Sequence, residues 1–505
     1  MKITRLSSNF FSVSIWTLAS RILGFIRDIL MAALLGTGPL AEAFLIAFSL
    51  PNMFRRFFAE GALNMAFVPL FSKKLNVDRN DAHNFASEAF VMLGSGLLIL
   101  TILAQIFMPV LVFSMASGFY GDERFDQATD LGRITFPYIL FISLAALISG
   151  ILNASGKFKT AAAAPIVLNI IIILSMISAD FLKLEISLAL AIAVPFSGLL
   201  QLFLVYHAVR KIGFELKFRL PKLTPDIKKL MIVAFPAALA GGVVQINLLV
   251  GRQIASGTEG AIAWLSYADR LYQLPLGVVG IAVGIVLLPD LSRRLISNDV
   301  VGAQNAFNKS TEFALNLTIP ASLALILIPT EIITTLFERG EFNANDTKQT
   351  AIALAIYGIG LPAFVLQKVL QPIYFAREDT KTPFRFALIA MVINALIAIG
   401  LEPKIGFISA AIATSAAGWS MLFLLWIGTR KFDDALKFDN SFYKKMLTII
   451  IASIVMSICI LFSKEGFKYY FIEPDMKYFG LICQIIIGLI SYFSSKYILN
   501  FVLLK

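Results

Sequence analysis

The chain has 505 residues, of which 58% are hydrophobic and only 15% charged, and it carries a formal net charge of +11. Apolar runs of about 20 residues recur from end to end, which excludes a soluble globular protein and leaves a polytopic helical membrane protein. Continuous runs exclude a transmembrane β-barrel, whose strands alternate over about ten residues, and basic residues confined to short loops, with no nucleic-acid motif, exclude nucleic acid as a partner.

Hydropathy, punctuated by Gly, Pro and charge, predicts about fourteen spans: 10–35, 40–71, 85–115, 131–153, 161–180, 186–209, 229–254, 261–290, 307–336, 349–375, 384–401, 405–429, 442–463 and 478–503. The first run is too long for a signal-peptide core and lacks a small-residue cleavage site, so it stays as the first span. Lys73, Lys74, Arg79, Lys157, Lys159, Arg210, Lys211, Arg293, Arg294, Arg430 and Lys431 fall in loops on the side of the N terminus. The opposite loops carry Asp122, Glu123, Asp126, Glu338, Glu341 and Asp346. The excess of positive charge marks the cytoplasmic side, and an even number of spans then puts both termini there.

The chain repeats itself. Leu50-Pro51 recurs as Leu274-Pro275, Ser72-Lys73-Lys74 as Ser292-Arg293-Arg294, Pro137 as Pro362, and Lys159-Thr160 as Lys381-Thr382. All four offsets are roughly 220 to 225 residues, the mark of a duplicated unit of about six helices. An even number of helices gives both copies one orientation, related by an axis along the membrane normal. The reading is a first six-helix lobe over 1–215, a second over 225–435 and two further helices over 440–505. Two lobes around a central cavity suit an alternating-access transporter.

Four arginines, Arg21, Arg27, Arg55 and Arg270, lie inside spans. A guanidinium cannot escape the hydrocarbon by losing its proton, and each costs roughly 2.5–3.5 kcal/mol at mid-membrane. At 1.5 Å per residue, Arg21 lies about 16 Å and Arg27 about 25 Å from the inner end of the first span, Arg55 about 22 Å and Arg270 about 13 Å below the outer surface. That distribution fits a water-filled cleft holding an anion, and guanidinium forks match phosphate oxygens bidentately.

Each charge also has a plainer reading. Arg27 can snorkel outward beside Asp28. Arg56 stands one turn before Glu60, so an internal ion pair competes with a substrate role, while Arg55 points about 100° away. Asp269 precedes Arg270, and adjacent helix positions do not face each other. Gly24, between Arg21 and Arg27, permits a bend that turns both toward one cavity. Lys368 serves lobe contact or cavity lining. Cys459 and Cys483 read as small buried hydrophobes, and His83 and His207 read as solvated, so no metal set emerges. The chain shows no Walker A sequence, no H-E-x-x-H helix and no nucleophile–base constellation, which reads as a mover of molecules and not an enzyme.

Several of these words carry a resemblance. Ser20-Arg21-Ile22-Leu23-Gly24-Phe25-Ile26-Arg27-Asp28, Leu50-Pro51-Asn52, the run from Arg55 to Ala62, and Ala66-Phe67-Val68-Pro69 resemble signatures of the MurJ (MviN) lipid II flippase family. So do Ile134-Thr135-Phe136-Pro137-Tyr138, Gly150-Ile151-Leu152-Asn153, Tyr267-Ala268-Asp269-Arg270-Leu271 and Pro275-Leu276-Gly277-Val278. The resemblance implies the fold of the multidrug/oligosaccharidyl-lipid/polysaccharide exporter superfamily, with the last two helices forming a lipid-facing groove. It implies lipid II, an undecaprenyl-pyrophosphate-linked peptidoglycan precursor, as substrate, moved across a bacterial inner membrane by alternating access. It implies substrate roles for Arg21, Arg27, Arg55 and Arg270 and a functional acid at Glu42; the residues themselves add Asp28 and Asp269 as acidic candidates and Arg56, Glu60 and Lys368 as secondary ones.

Two departures stand out: Ser49 where many relatives carry Lys, and Gln273 where others carry Glu. Some relatives bind sodium through carboxylates on spans seven and eleven, where this chain has Gln245, Asn247 and Asn394, which leaves a sodium site without its acids. The expected protein needs no cofactor, couples to the membrane potential and acts as a monomer among membrane lipids. The alternatives are an exporter of another lipid-linked oligosaccharide, which also carries diphosphate, and a multidrug antiporter of the same fold, which for cationic drugs would need more carboxylates.

Overall fold

The structure, a computed structural model, describes residues 2–56, 64–217, 220–283, 288–297, 299–432, 437–471, 473 and 476–503. The apolar runs become helices because a chain in hydrocarbon must satisfy its backbone hydrogen bonds internally. No strand occurs among the described residues; Arg339 and Phe342 form an isolated antiparallel bridge.

Two compact units divide the chain, Met1–Leu249 and Val250–Lys505. The first holds α1 (Lys2–Leu35), α2 (Pro39–Arg55), α3 (Asn64–Val77), α4 (Arg79–Ile106), α5 (Met108–Met115), α6 (Glu123–Thr135), α7 (Tyr138–Ala154), α8 (Phe158–Leu182) and α9 (Ile186–Lys211). The boundary falls inside α10 (Pro225–Ser256). The second holds α11 (Ala261–Ala282), α12 (Leu288–Ile296), α13 (Val300–Leu327), α14 (Pro329–Leu336), α15 (Ala344–Phe375), α16 (Lys381–Ile405), α17 (Ile408–Thr429), α18 (Asn440–Phe467) and α19 (Lys477–Leu503).

Among the described residues, 10 helical stretches are long and apolar enough to cross a bilayer. They coincide with the expected spans from 85–115 to 186–209 and from 307–336 to 478–503. The four remaining expected spans, on α1, α2–α3, α10 and α11–α12, contain the four arginines, and the count of fourteen rests on the sequence alone.

Two junctions, one in each unit, have matching local geometry. Helix α4 has 28 residues and breaks into the 8-residue α5, which has Pro109 in its first turn. Helix α13 likewise has 28 residues and breaks into the 8-residue α14, which starts at Pro329. Proline lacks an N–H and clashes with the preceding turn, so each continuous apolar run is forced to jog. The caps that follow also correspond. The Asp122 side chain accepts from the Arg124 N–H at the start of α6, and Asn343 and Asp346 form a capping box at the start of α15.

The basic loop after α9 is strapped to the first unit. Phe214 is 3% exposed and joins Phe71, Phe85, Ile227 and Leu230 in one apolar cluster. Arg79 donates to the Ile212 carbonyl at 2.6 Å, Thr224 donates to Glu88 at 2.8 Å, and Lys74 pairs with Asp81 at 2.7 Å and Asp226 at 2.8 Å. His83, which the sequence leaves in solvent, lies half-buried with its ring 4.2 Å from that of Phe214; the apolar loop folds back over it. Helices α7 and α9 approach closely at Gly198, where a Cβ would lie 2.7 Å from the Tyr138 ring. In the second unit, Ile328, Ala452, Met456, Ile460, Leu481 and Tyr492 join α18 and α19 to the α13–α14 junction. Lys464–Glu331 at 2.9 Å and Lys445–Glu312 at 2.8 Å tie the same elements near opposite ends. Cys459 and Cys483 are free and half-buried.

Candidate substrate-binding arginines

Helix α1 presents its two internal arginines in different ways. Arg21 is exposed. Arg27 is 9% exposed and Asp28 3%. The Arg27 guanidinium donates through Nε (3.0 Å) and Nη2 (2.7 Å) to Asp28 Oδ1, and through Nη1 (3.1 Å) to Asn169 Oδ1 of α8. The Asn169 amide in turn donates to the Ser20 carbonyl at 3.0 Å. Adjacent residues on a helix normally diverge, but the long arginine side chain curls back over its own turn to meet Asp28. The Arg27–Asp28 pair offered by the sequence as the plainer reading is therefore present, with a third partner from a helix far away in the chain. An arginine has five N–H groups; three are engaged here, and the others remain for further contacts.

At the end of α2, Arg55 is half-buried and its Nε donates to Asn52 Oδ1 at 3.3 Å. Arg56 is exposed and follows the last residue of α2 as its cap. Glu60 lies outside the described residues. The Ser49 hydroxyl donates to the Leu45 carbonyl at 2.6 Å, so it is spent on its own helix. In α11, Asp269 and Arg270 are half-buried, and the Gln273 amide donates to Asp269 Oδ2. The Gln at this position thus supplies a neutral donor to Asp269 where a Glu would set two carboxylates one turn apart. Lys368 is exposed on α15. Gln245 is 6% and Asn394 2% exposed. Among the described residues no group of three or more His, Cys, Asp or Glu converges.

Glu42 has a defined partner that the sequence did not reveal. Its side chain is fully buried and pairs with Arg124 of α6 at 2.8 Å. Arg124 also pairs with Asp122 at 2.6 Å and lies over the Phe119 ring, 4.4 Å from its centroid. Partial burial works against the Asp122 charge, but hydrogen bonds from the Arg124 side chain and backbone outweigh it and hold this carboxyl below its usual range. Two carboxylates and an aromatic face surround one guanidinium, which makes this cluster a structural lock between α2 and α6. Arg124 and Asn169 are the residues that sequence reasoning missed. Their one signal is chemical type: a cation inside an acidic loop and an amide inside the apolar run of α8.

In the second unit an apolar crevice of about 190 Å³ opens among α13, α18 and α19, lined by Pro320, Ala324, Met456, Ile460, Gly488 and Phe493, among others.

Long apolar helices, paired proline breaks and arginines within the expected spans define a polytopic helical transporter. A solved inward-facing multidrug resistance MATE transporter of the MOP superfamily has the same fold, with a TM-score of 0.70 over 82% of this chain and 94% of its own at 14% identity. A solved structure of lipid II flippase MurJ in an inward closed conformation is more similar, with a TM-score of 0.83 and 30% identity over 98% of this chain and 99% of that one. The probable lipid II flippase MurJ of Rhizobium tropici is 47% identical over 457 residues, 89% of this chain and 86% of the relative. That of Rickettsia prowazekii (strain Madrid E) is 37% identical over 490 residues, 96% of each. The family model described as lipid II flippase MurJ matches residues 31–504. The chain belongs to the lipid II flippase MurJ family, a family of transporters, and is a multi-pass membrane protein.

Proposed function

We propose that Arg21, Arg27, Arg55 and Arg270 receive the diphosphate of lipid II and that the chain carries its headgroup from the cytoplasmic to the periplasmic leaflet of a bacterial inner membrane. What carries this reading is a set of permanently charged guanidiniums on α1, α2 and α11 in a chain that matches the flippase family over residues 31–504. A diphosphate offers charge and lone pairs enough for several guanidinium forks, and such charge-assisted contacts strengthen where water is scarce. Arg21 brings an exposed side chain, and Arg27 brings the N–H groups left over from Asp28 and Asn169.

The polyprenyl tail stays in lipid and follows the apolar crevice of α13, α18 and α19. The binding groups open first to one side and then to the other, and no bond of the substrate is made or broken. The protein works as a monomer without a cofactor, with both termini in the cytoplasm. The membrane potential biases the charged carrier, at about 2.3 kcal/mol per elementary charge per 100 mV.

Complementation tests this. A walled bacterium depleted of its own flippase and expressing this chain should regain translocated lipid II. Arg55→Ala and Arg270→Ala should each abolish that rescue at normal membrane abundance. No rescue by the parent chain despite stable insertion overturns the substrate; rescue by both variants overturns the role of the arginines.

A further inference from the structure

We infer that Asn169 is the positioning residue for Arg27: an amide on α8 that catches α1 at two points and sets how its buried guanidinium is presented. The inference rests on the reading of Arg27 as a substrate group, but its geometry stands independently. Asn169 is 6% exposed and interrupts the apolar run from Ala161 to Leu174 in the middle of α8. A buried amide there is costly unless both its ends are bonded, and both are. Its oxygen accepts from Arg27 Nη1 at 3.1 Å, and its nitrogen donates to the Ser20 carbonyl at 3.0 Å.

Ser20 and Arg27 are two turns apart on α1, about 10 Å along the axis, and Gly24 lies between them. A Cβ at Gly24 would sit 3.6 Å from Asn169 Nδ2, so the amide lies directly against the one residue of this stretch that lacks a side chain. Glycine weakens a helix interior. A bend of α1 at Gly24 therefore changes the distance between the two contact points, and Asn169 holds that distance fixed.

Only asparagine meets both demands at this reach. Aspartate keeps the acceptor for Arg27 and loses the donor to Ser20; leucine, of similar volume, loses both. The contact is also graded. Asp28 neutralises Arg27, whereas Asn169 steers it without adding charge, so the guanidinium is oriented yet keeps donors for an anion.

The test uses the full chain with Cys459→Ala and Cys483→Ala and a reporter thiol at Ser20→Cys, whose backbone acceptor is unchanged. Lipid II translocation in depleted cells and the rate of thiol modification are measured at matched abundance. Asn169→Leu should slow translocation at least about tenfold, because Arg27 loses its charge-assisted contact, and should raise thiol modification several-fold. Asn169→Asp, which still accepts from Arg27, should stay within about threefold of the parent in translocation while raising thiol modification. Unchanged translocation and labelling in Asn169→Leu would overturn the inference. Equal impairment of the Asp and Leu variants would assign Asn169 to α1–α8 packing instead and overturn it too. Should the Leu variant not accumulate, the Asp variant alone decides, since rescue of translocation together with faster labelling is an outcome that general misfolding does not produce. If the parent chain moves no lipid II, the substrate reading fails while the labelling arm still judges the catch.

Discussion

Arg124 and Arg27 are both buried cations of the first unit, and their surroundings assign them opposite tasks. Arg124 lies between two carboxylates, Glu42 at 2.8 Å and Asp122 at 2.6 Å, and beneath it is the face of Phe119. Arg27 has one adjacent carboxylate and a neutral amide. The Arg124 guanidinium, matched by two acids and covered by a ring face, has its charge spent on the fold; the Arg27 guanidinium, held by its neighbouring acid and steered by one side-chain oxygen of α8, is aimed but not exhausted. The acid that the family resemblance marks as functional, Glu42, thus sits in the structural cluster.

The sharpest way to break this comparison is to remove Glu42. Glu42→Ala leaves Arg124 buried with only the half-exposed Asp122, and losing one partner of a buried pair costs about 3 kcal/mol or more. The expected result is a marked drop in thermal stability in detergent and in membrane abundance. A melting temperature equal to the parent's would show that the cluster is not a lock.

Arg27→Lys should act more gently on the fold and more strongly on function. An ammonium keeps the charge but cannot fork between Asp28 and Asn169. A stability loss of about 1–2 kcal/mol is expected, with translocation falling at least about tenfold. A lysine variant as active as the parent would mean that charge alone, without orientation, suffices at this position.

Gly24→Ala sharpens the point further. The added methyl meets Asn169 at an ordinary contact distance of 3.6 Å, so α1 accommodates it, and removing a helix-interior glycine stabilises by up to about 1 kcal/mol. Stability unchanged or higher together with slower turnover is expected. Turnover equal to the parent's would remove bending at Gly24 from the mechanism.

The smallest effect belongs to Asp122. Its folded-state carboxyl lies below the ordinary value of 3.8, so it stabilises fully above that value, and the contribution fades as pH falls through the lower folded-state value. Its side chain is 40% exposed, so solvent screening limits the effect to a few tenths of a kcal/mol. Melting curves between about pH 6 and pH 3 should show a slightly shallower acid decline for Asp122→Asn than for the parent. Identical slopes would mean that Glu42 carries the whole pairing.

The sequence was most legible where the signal is periodic or local. Apolar runs set the helices, since hydrocarbon leaves the backbone no other way to satisfy its hydrogen bonds. The repeat offset that pairs Leu50-Pro51 with Leu274-Pro275 also pairs the break before Pro329 with the one near Pro109. The helical placement of Arg21, Arg27, Arg55 and Arg270 followed from the same runs. Jogs inside spans were less visible, because hydropathy averages over α4–α5 and α13–α14 without registering a change of direction. Partners of the charges were the least visible.

By itself, then, the sequence determined a helical membrane protein and a short roster of cations in apolar surroundings. Only the tertiary structure decided which cations are spent and which are aimed. Arg124 meets Glu42 across 82 positions and Arg27 meets Asn169 across 142. Hydropathy reports how costly a buried charge is, but it says nothing of which distant residue comes within hydrogen-bonding reach. That is settled by packing, when α2 docks on α6 and α1 on α8.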